Sequence, residues 1–149
     1  MVCNIGQTMI KYDEDKELFE KVAEIIQVLK MKHVDKERIS VIRSRGSSSR
    51  NILARCHALP RIMQHSLKTG PFYTIELVSE NFDRLSEEDQ IKTLIHELLH
   101  IPKAFGGGFR HHDFVSRKTV DKFHEAYKLA KREPGQISLN NSFLNKIFS

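Results

Sequence analysis

The sequence lacks the features that would place it in a specialised structural class. Its 149 residues include no tryptophan, and there are only four prolines and seven glycines. This low content of proline and glycine excludes collagen-like and low-complexity chains. No apolar run approaches the roughly 20 residues that a membrane-spanning helix needs. The first residues show no basic and then apolar signal pattern, so we predict a cytoplasmic protein without a membrane partner. We further predict a single domain over 1–149, with its core at 10–133 and a tail at 134–149.

Cysteine is scarce as well. Cys3 and Cys56 are the two cysteines of the chain, and two cysteines cannot build a disulfide framework. We therefore expect two reduced thiols, as is usual for a cytoplasmic protein.

Acidic residues are missing from one long segment. The net charge is +5, yet no Asp or Glu lies between Glu37 and Glu76, while seven arginines and lysines do. Such a segment creates a local positive potential, so we predict contact with DNA through residues 38–75. The candidate residues are Arg43, Arg45, Arg50 and Arg55. The alternative is a solvated face whose arginine stems cover apolar surface.

The first half of the chain reads as a helix followed by short β-segments. Residues 14–32 carry one apolar stripe at helical spacing. The segments 38–45 and 51–57 are predicted strands that pair as a hairpin across the serine-rich turn. Residues 59–67 are predicted to form a short helix.

The second half supplies one clear strand and two helices. The strand is predicted at 72–78 and the first helix at 86–100, with Ser86 as its N-cap. The last helix should begin at 113–116, and His124 on it is predicted to lie at the surface. The residues of this last helix that are predicted to face inward are Val120, Phe123, Tyr127 and Ala130. The pattern indicates an α+β fold with a small mixed sheet of about three strands, an N-terminal helix, a central helix and a C-terminal helix.

The chemistry concentrates in the helix at 86–100, which contains the motif H-E-x-x-H. His96 and His100 are four residues apart, so both imidazoles lie on one face of the helix and can bind one Zn²⁺. Glu97 can take a proton from metal-bound water and pass it to a leaving amine.

The position of the two histidines relative to the core supports this interpretation. At about 100° per residue from Ile91, the apolar residues of the helix centre near 10°, whereas the histidines lie at about 140° and 180°. A histidine buried for packing would share the apolar face. These two instead face away from it, towards a cleft.

A catalytic zinc site needs a third protein ligand. The spacing H-E-x-x-H-x-x-G-x-x-H would place it at position 106, which is Gly106, so that subclass is excluded. We favour His112, which follows the three glycines that can turn the chain back. His111 is the runner-up, Glu125 on the last helix is a third option, and Asp113 is less favoured.

With these residues in view, the chain resembles SprT-like zincins and, more narrowly, metallopeptidases of archaea and phages. The specific likeness lies in Leu94-Ile-His-Glu-Leu-Leu-His-Ile-Pro-Lys103 and in the Gly-Gly-Gly-Phe-Arg-His-His-Asp that ends at Asp113. Looser likeness covers 43–50, 59–64 and 72–78. The resemblance implies a minimal zincin fold, peptide-bond hydrolysis and, in SprT-like relatives, cleavage of proteins bound or crosslinked to DNA. The family's downstream His is commonly followed by Gly, and here Asp113 stands in that place.

The sequence therefore predicts a zinc-dependent endopeptidase that acts on a protein or peptide substrate. Zn²⁺ would be held by His96, His100 and His112, with Glu97 as general base. The strand 72–78 is expected at the edge of the sheet, where its free backbone groups can pair with an extended substrate. Two alternatives stay open: a zinc-dependent endoribonuclease, and an inactive module that binds metal and nucleic acid.

Overall fold

A computed structural model describes residues 9–132, which form a four-stranded mixed sheet and five α-helices. The predicted α+β class is confirmed, with one strand more than expected. The strands are β1 (Lys11–Glu14), β2 (Ile39–Arg45), β3 (Ala54–Ala58) and β4 (Tyr73–Val78). The helices are α1 (Lys16–Val28), α2 (Arg61–Leu67), α3 (Ser79–Phe82), α4 (Glu87–Leu99) and α5 (Arg117–Arg132). A 3₁₀ turn at Lys36–Arg38 leads into β2. The predicted tail at 134–149 lies outside the described residues.

The strand order is β1-β2-β4-β3. β2 and β4 run parallel, with Ile39 opposite Tyr73, and the two outer strands are antiparallel to their neighbours. Two expectations were wrong. β3 does not form a hairpin with β2, because it pairs with β4 and places Cys56 opposite Ile75. The strand at 72–78 is interior, so β3 forms the edge instead.

The loop between β2 and β3 explains this order. The side-chain amide of Asn81 on α3 donates hydrogen bonds to the carbonyls of Ser49 and Ile52, at 2.9 and 2.8 Å. Glu80 accepts a hydrogen bond from the backbone of Gly46. Because α3 follows directly from β4, these contacts draw the loop across the end of β4 and start β3 on its far side.

The N-terminal strand β1 was not predicted from the sequence. All four of its residues are exposed, and their sequence, Lys-Tyr-Asp-Glu, shows no clear alternation of apolar and polar side chains. That alternation is the pattern that indicates a strand. Asp15 follows it as the N-cap of α1, with its carboxylate accepting from the backbone of Leu18. As a result, α1 begins at Lys16 rather than at residue 14.

The core lies where β2 and β4 meet α1, α4 and α5. Its fully buried side chains include Tyr73, Ile75 and Leu77 of β4 and Leu94, Ile95 and Leu98 of α4. Each such side chain contributes roughly 1.5–3 kcal/mol when it leaves water. On α5 the predicted Val120, Phe123 and Tyr127 are buried, and Ala130 is half-buried. Within residues 9–132, no helix has the length and apolar character needed to cross a membrane.

Candidate metal centre

Helix α4 holds its two histidines on a rigid support. Ser86 caps the helix by accepting a hydrogen bond from the backbone of Asp89. Three acidic residues in the first turn add favourable charge at that end. The apolar face of the helix is buried in the core, while His96 and His100 on the other face remain half-buried. The orientation predicted from the apolar stripe is therefore the one observed.

Three imidazoles converge at this face. Ligand nitrogens of His96, His100 and His112 all lie within 4.8 Å of one another. The two Nε2 atoms of His96 and His100 are 3.2 Å apart. A tetrahedral zinc ion with Zn–N bonds near 2.05 Å would separate two ligand nitrogens by about 3.3 Å. The donor set and its spacing thus fit a divalent ion that prefers imidazole.

The second nitrogen of His100 is already engaged. Its Nδ1–H donates to the backbone carbonyl of Arg110 over 2.7 Å, which leaves Nε2 with its lone pair facing the other two rings. Histidines that bind metals almost always donate their other ring N–H in this way, because it fixes the tautomer and the ring orientation.

The protonation state of the histidines also suits metal binding. Burial, together with the nearby His100 and His112, lowers the pKa of His96 to about 4. Burial likewise lowers the pKa of His100, against the opposing hydrogen bond to Arg110. Both rings are therefore neutral at pH 7, and a metal ion need not displace protons from them.

Glu97 lies beside the three imidazoles, with 7 % of its surface exposed. Burial raises the pKa of its carboxyl to about 7, although the hydrogen bond from the Cys56 backbone N–H acts in the opposite direction. A carboxyl with a pKa near the working pH is matched to taking up and releasing protons.

The cleft at the histidines has two parts, and Ala54, His96 and Glu97 line both of them. One part, of about 380 Å³, includes Cys56, Phe109 and the loop that carries His112. The other part, of about 640 Å³, continues between the β3 side and α5. Its lining includes Asn51, Ile52, Leu53, Leu85, Lys92, Arg117 and Val120. The candidate centre is thus reachable from two directions along β3.

The other candidate ligands do not belong to the group of three histidines. His111 lines the cleft but is not part of the group of three converging rings. Glu125 is exposed on α5 and pairs with Lys128 at 2.7 Å. The expectation of a surface position for His124 was wrong: the residue is 2 % exposed, because the packing of α5 against α4 covers it, and its Nδ1 lies 3.9 Å from the carboxylate of Glu88.

The four arginines predicted to contact nucleic acid differ in their surroundings. Arg43 is largely buried and pairs with Asp15 and Asp83. Arg55 pairs with Glu76 over 3.4 Å. Arg45 and Arg50 are exposed, and Arg45 has one long contact of 3.9 Å with Asp13. Two of the four guanidinium groups are thus occupied by carboxylates of the fold.

Comparison with known families assigns the chain to one of them. The model of the family described as "Putative phage metallopeptidase" matches residues 10–132. The chain belongs to this family. The resemblance to phage metallopeptidases seen in the sequence is confirmed, and the likeness to SprT-like zincins stays a prediction. A search of curated proteins found no match, and a search of solved structures found none.

Membership in a metallopeptidase family also implies a metal, which agrees with the converging histidines. Sequence reasoning did not find three groups around this centre. They are the Arg110 carbonyl, the Cys56 backbone N–H and the Tyr73 hydroxyl, which bonds to the glycine loop. Two are backbone groups that no residue type marks, and Tyr73 lies in the strand predicted at 72–78, whose pattern does not indicate a bond to the glycine loop.

Proposed function

We propose that this member of the metallopeptidase family is a zinc-dependent endopeptidase. The observation that carries the proposal is the convergence of His96, His100 and His112 beside the buried carboxyl of Glu97. Three imidazoles on one side leave the cleft side of the group open, which is the arrangement of a catalytic rather than a structural zinc site.

Zinc is the proposed ion because of the ligand chemistry. Neutral imidazole suits zinc, and the spacing of the His96 and His100 nitrogens matches a tetrahedral site. When bound, the ion would polarise a substrate carbonyl and lower the pKa of a water molecule in the site.

The residues of the chain then divide the work. Glu97 accepts the proton of the attacking water and delivers it to the nitrogen of the leaving amine. Its burial and the Cys56 N–H hold the carboxyl in place between the edge strand and the histidines. The hydrogen bond from His100 to the Arg110 carbonyl keeps the His100 ring in one tautomer throughout.

The proposed substrate is an extended peptide aligned with the edge strand β3. The backbone hydrogen bonds from Leu59 to Phe72 and from Val78 to Leu53 set a register in which the odd-numbered residues of β3 bond to β4. In an antiparallel pair the intervening residues direct their N–H and C=O groups away from the partner strand. Ala54 and Cys56 therefore direct backbone groups into the cleft; the Cys56 N–H is taken by Glu97, and the remaining groups can pair with a substrate strand irrespective of most side chains.

We extend the proposal to substrates that are bound or crosslinked to DNA. Arg45 and Arg50 support this extension, since both are exposed and Arg50 precedes Asn51 and Ile52 of the cleft lining. Replacing both by Gln should lower the salt dependence of DNA binding by a slope of about 2. An unchanged slope would remove DNA from the proposal and leave the peptidase intact.

The decisive experiment compares the wild type with Glu97→Gln and with Glu125→Gln, a matched change on the exposed face of α5. Each protein is loaded with zinc, assayed for bound metal and incubated with casein and with RNA, with and without chelator. We expect Glu97→Gln to retain zinc and lose casein cleavage, and Glu125→Gln to behave as wild type. Casein cleavage by Glu97→Gln at the wild-type rate, or chelator-sensitive RNA cleavage without casein cleavage, would overturn the proposal.

A further inference from the structure

The loop between His100 and His112 contains Gly106, Gly107 and Gly108, yet hydrogen bonds to side chains of other elements fix its path. Three successive glycines are the most flexible segment that a chain can contain, and ordering them carries a large entropy cost. Two side chains from other elements, Tyr73 and Gln64, meet these glycines directly.

Tyr73 approaches the loop from the interior strand β4. Its hydroxyl donates to the carbonyl of Gly108 at 2.8 Å and accepts from the N–H of Gly107 at 2.9 Å. The ring is fully buried and contacts the rings of Phe105 and Phe109, whose centroids are 4.9 and 6.3 Å away. One hydroxyl thus satisfies two backbone groups of the loop at once.

Gln64 holds the loop from the other side. Its side-chain amide donates to the carbonyl of Gly106 at 3.2 Å and to that of Leu59 at 2.9 Å. The approach is so close that a Cβ on Gly107 would lie 2.7 Å from this amide, and Gly107 adopts a positive φ of 107°. A glycine is therefore required where the loop passes α2.

Beyond the glycines the loop returns to the metal centre. The N–H of Arg110 donates to the carbonyl of His100 at 2.7 Å, and the His100 ring donates to the carbonyl of Arg110. His112 follows two residues later. The position of the glycines thus determines both the hydrogen bond that orients His100 and the starting point of the segment that carries His112.

We propose that Tyr73 and Gln64 are positioning residues that preorganise the third ligand by clamping the three glycines. The inference rests on the proposed metal site. Without the clamp, binding of the ion must also order the loop, so the affinity for the ion falls. Loss of a group that orients a metal ligand typically costs 10–100-fold in affinity.

The test uses the full chain and two pairs of matched variants. Tyr73→Phe removes the hydroxyl and keeps the buried ring. Tyr127→Phe is its control, because Tyr127 is also buried but donates to Glu24, between α5 and α1. Gln64→Met removes the amide, and Gln90→Met is its control, since Gln90 on α4 also donates to a backbone carbonyl, that of Phe82.

Zinc affinity is measured by competition with a chromophoric chelator, and hydrogen exchange of Gly107 is followed in the metal-free protein. We expect Tyr73→Phe and Gln64→Met to weaken zinc binding 10–100-fold, with a change under threefold in both controls. Gly107 should exchange faster in Tyr73→Phe, even without metal. Circular dichroism of each variant verifies that it is folded.

The outcomes separate the two proposals. Tight zinc binding by Tyr73→Phe and Gln64→Met, together with unchanged exchange at Gly107, would overturn the clamp and leave the metal site standing. If the wild type binds no zinc, the proposed function fails, while faster exchange at Gly107 in Tyr73→Phe would still support a clamp on the loop.

Discussion

The backbone N–H of Cys56 donates a hydrogen bond to the carboxylate of Glu97. This bond connects the edge strand β3 to the face of α4 that carries the two histidines, and both elements line the cleft. It also partly offsets the cost of burying a negative charge, although burial remains the larger effect on the pKa of Glu97. The same contact therefore bears on stability as well as on chemistry.

The raised pKa of Glu97 makes a prediction for the metal-free protein. The pKa rises from 4.5 to about 7 on folding, so the folded state binds more protons than the unfolded state between these values. The stabilisation contributed by protonated Glu97 is fully present below pH 4.5 and is lost as the pH rises through 7. It amounts to about 3 kcal/mol at most.

His96 acts with the opposite sign, since its lowered pKa costs stability as the pH falls from 6.5 towards 4. Comparison with Glu97→Gln isolates the glutamate, because both proteins retain His96. In urea denaturation with chelator present, the free energy of unfolding of Glu97→Gln should rise relative to that of the wild type between pH 5 and pH 8. A difference between the two proteins that does not vary with pH would contradict the prediction.

Cys56 should be an unreactive thiol despite its place in the cleft. Burial, with a smaller contribution from the charge of Glu97, raises the pKa of Cys56 to about 12. At pH 8 the thiolate fraction is then about a thousandth of that of a thiol with a pKa near 9, and the thiolate is the reactive form. We expect iodoacetamide to label Cys56 at least a hundredfold more slowly than it labels glutathione, measured in a Cys3→Ser background. Equal rates in the folded protein would show that the thiol is not shielded.

The site helix was the most predictable part of the fold. Ser86, the apolar stripe and the two histidines are all encoded at spacings of three and four residues, so local sequence determines both α4 and the face that its ligands occupy. The choice of His112 over His111 had a weaker basis, since adjacent residues differ only in which way the loop directs them.

The order of the strands could not be predicted in the same way. β3 has five residues of nearly uniform, intermediate burial, so its pattern does not indicate which strand it pairs with. Its placement depends on Asn81, which lies some thirty residues further along the chain. The end of α1 was missed for a related reason. Lys30 adopts a positive φ of 54°, and the N–H of Met31 bonds back to the carbonyl of Ile26. Glycine usually marks such a helix end, and lysine gives no signal.

Arg43 is predicted to serve the fold, because its guanidinium joins Asp15, the cap of α1, to Asp83 after α3. Arg43→Met retains the aliphatic stem and should lower the free energy of unfolding by about 2 kcal/mol, the scale of hydrogen bonds to charged groups. Arg45→Met, a matched change at an exposed position on the same strand, should stay within about 0.5 kcal/mol.

The pH dependence of the Arg43 effect follows from Asp15. Burial would raise the pKa of Asp15, but the Leu18 amide and Arg43 together hold it below 3.8. The stabilisation is therefore present above pH 3.8 and is lost as the pH falls further, so the two proteins should converge in acid. Equal urea midpoints for wild type and Arg43→Met at pH 7 would contradict the structural role.

The adjacent histidines 111 and 112 offer the sharpest test of the metal centre. Both side chains are exposed, both border the loop, and only the ring of His112 lies with those of His96 and His100, at centroid distances of 5.7 and 5.0 Å. His112→Ala should weaken zinc binding by more than the 10–100-fold expected for a residue that merely orients a ligand.

His111→Ala should change zinc binding less than threefold, because the carbonyl of His111, which accepts from Phe114 and Val115, remains in the variant. Isothermal titration of zinc into the two metal-free variants and the wild type measures both effects. If the two alanine variants bind zinc equally well, or if His111→Ala is the weaker of the two, the third ligand is not His112. Since both side chains are exposed, we expect neither substitution to unfold the protein, so a difference between the variants reports on the metal centre.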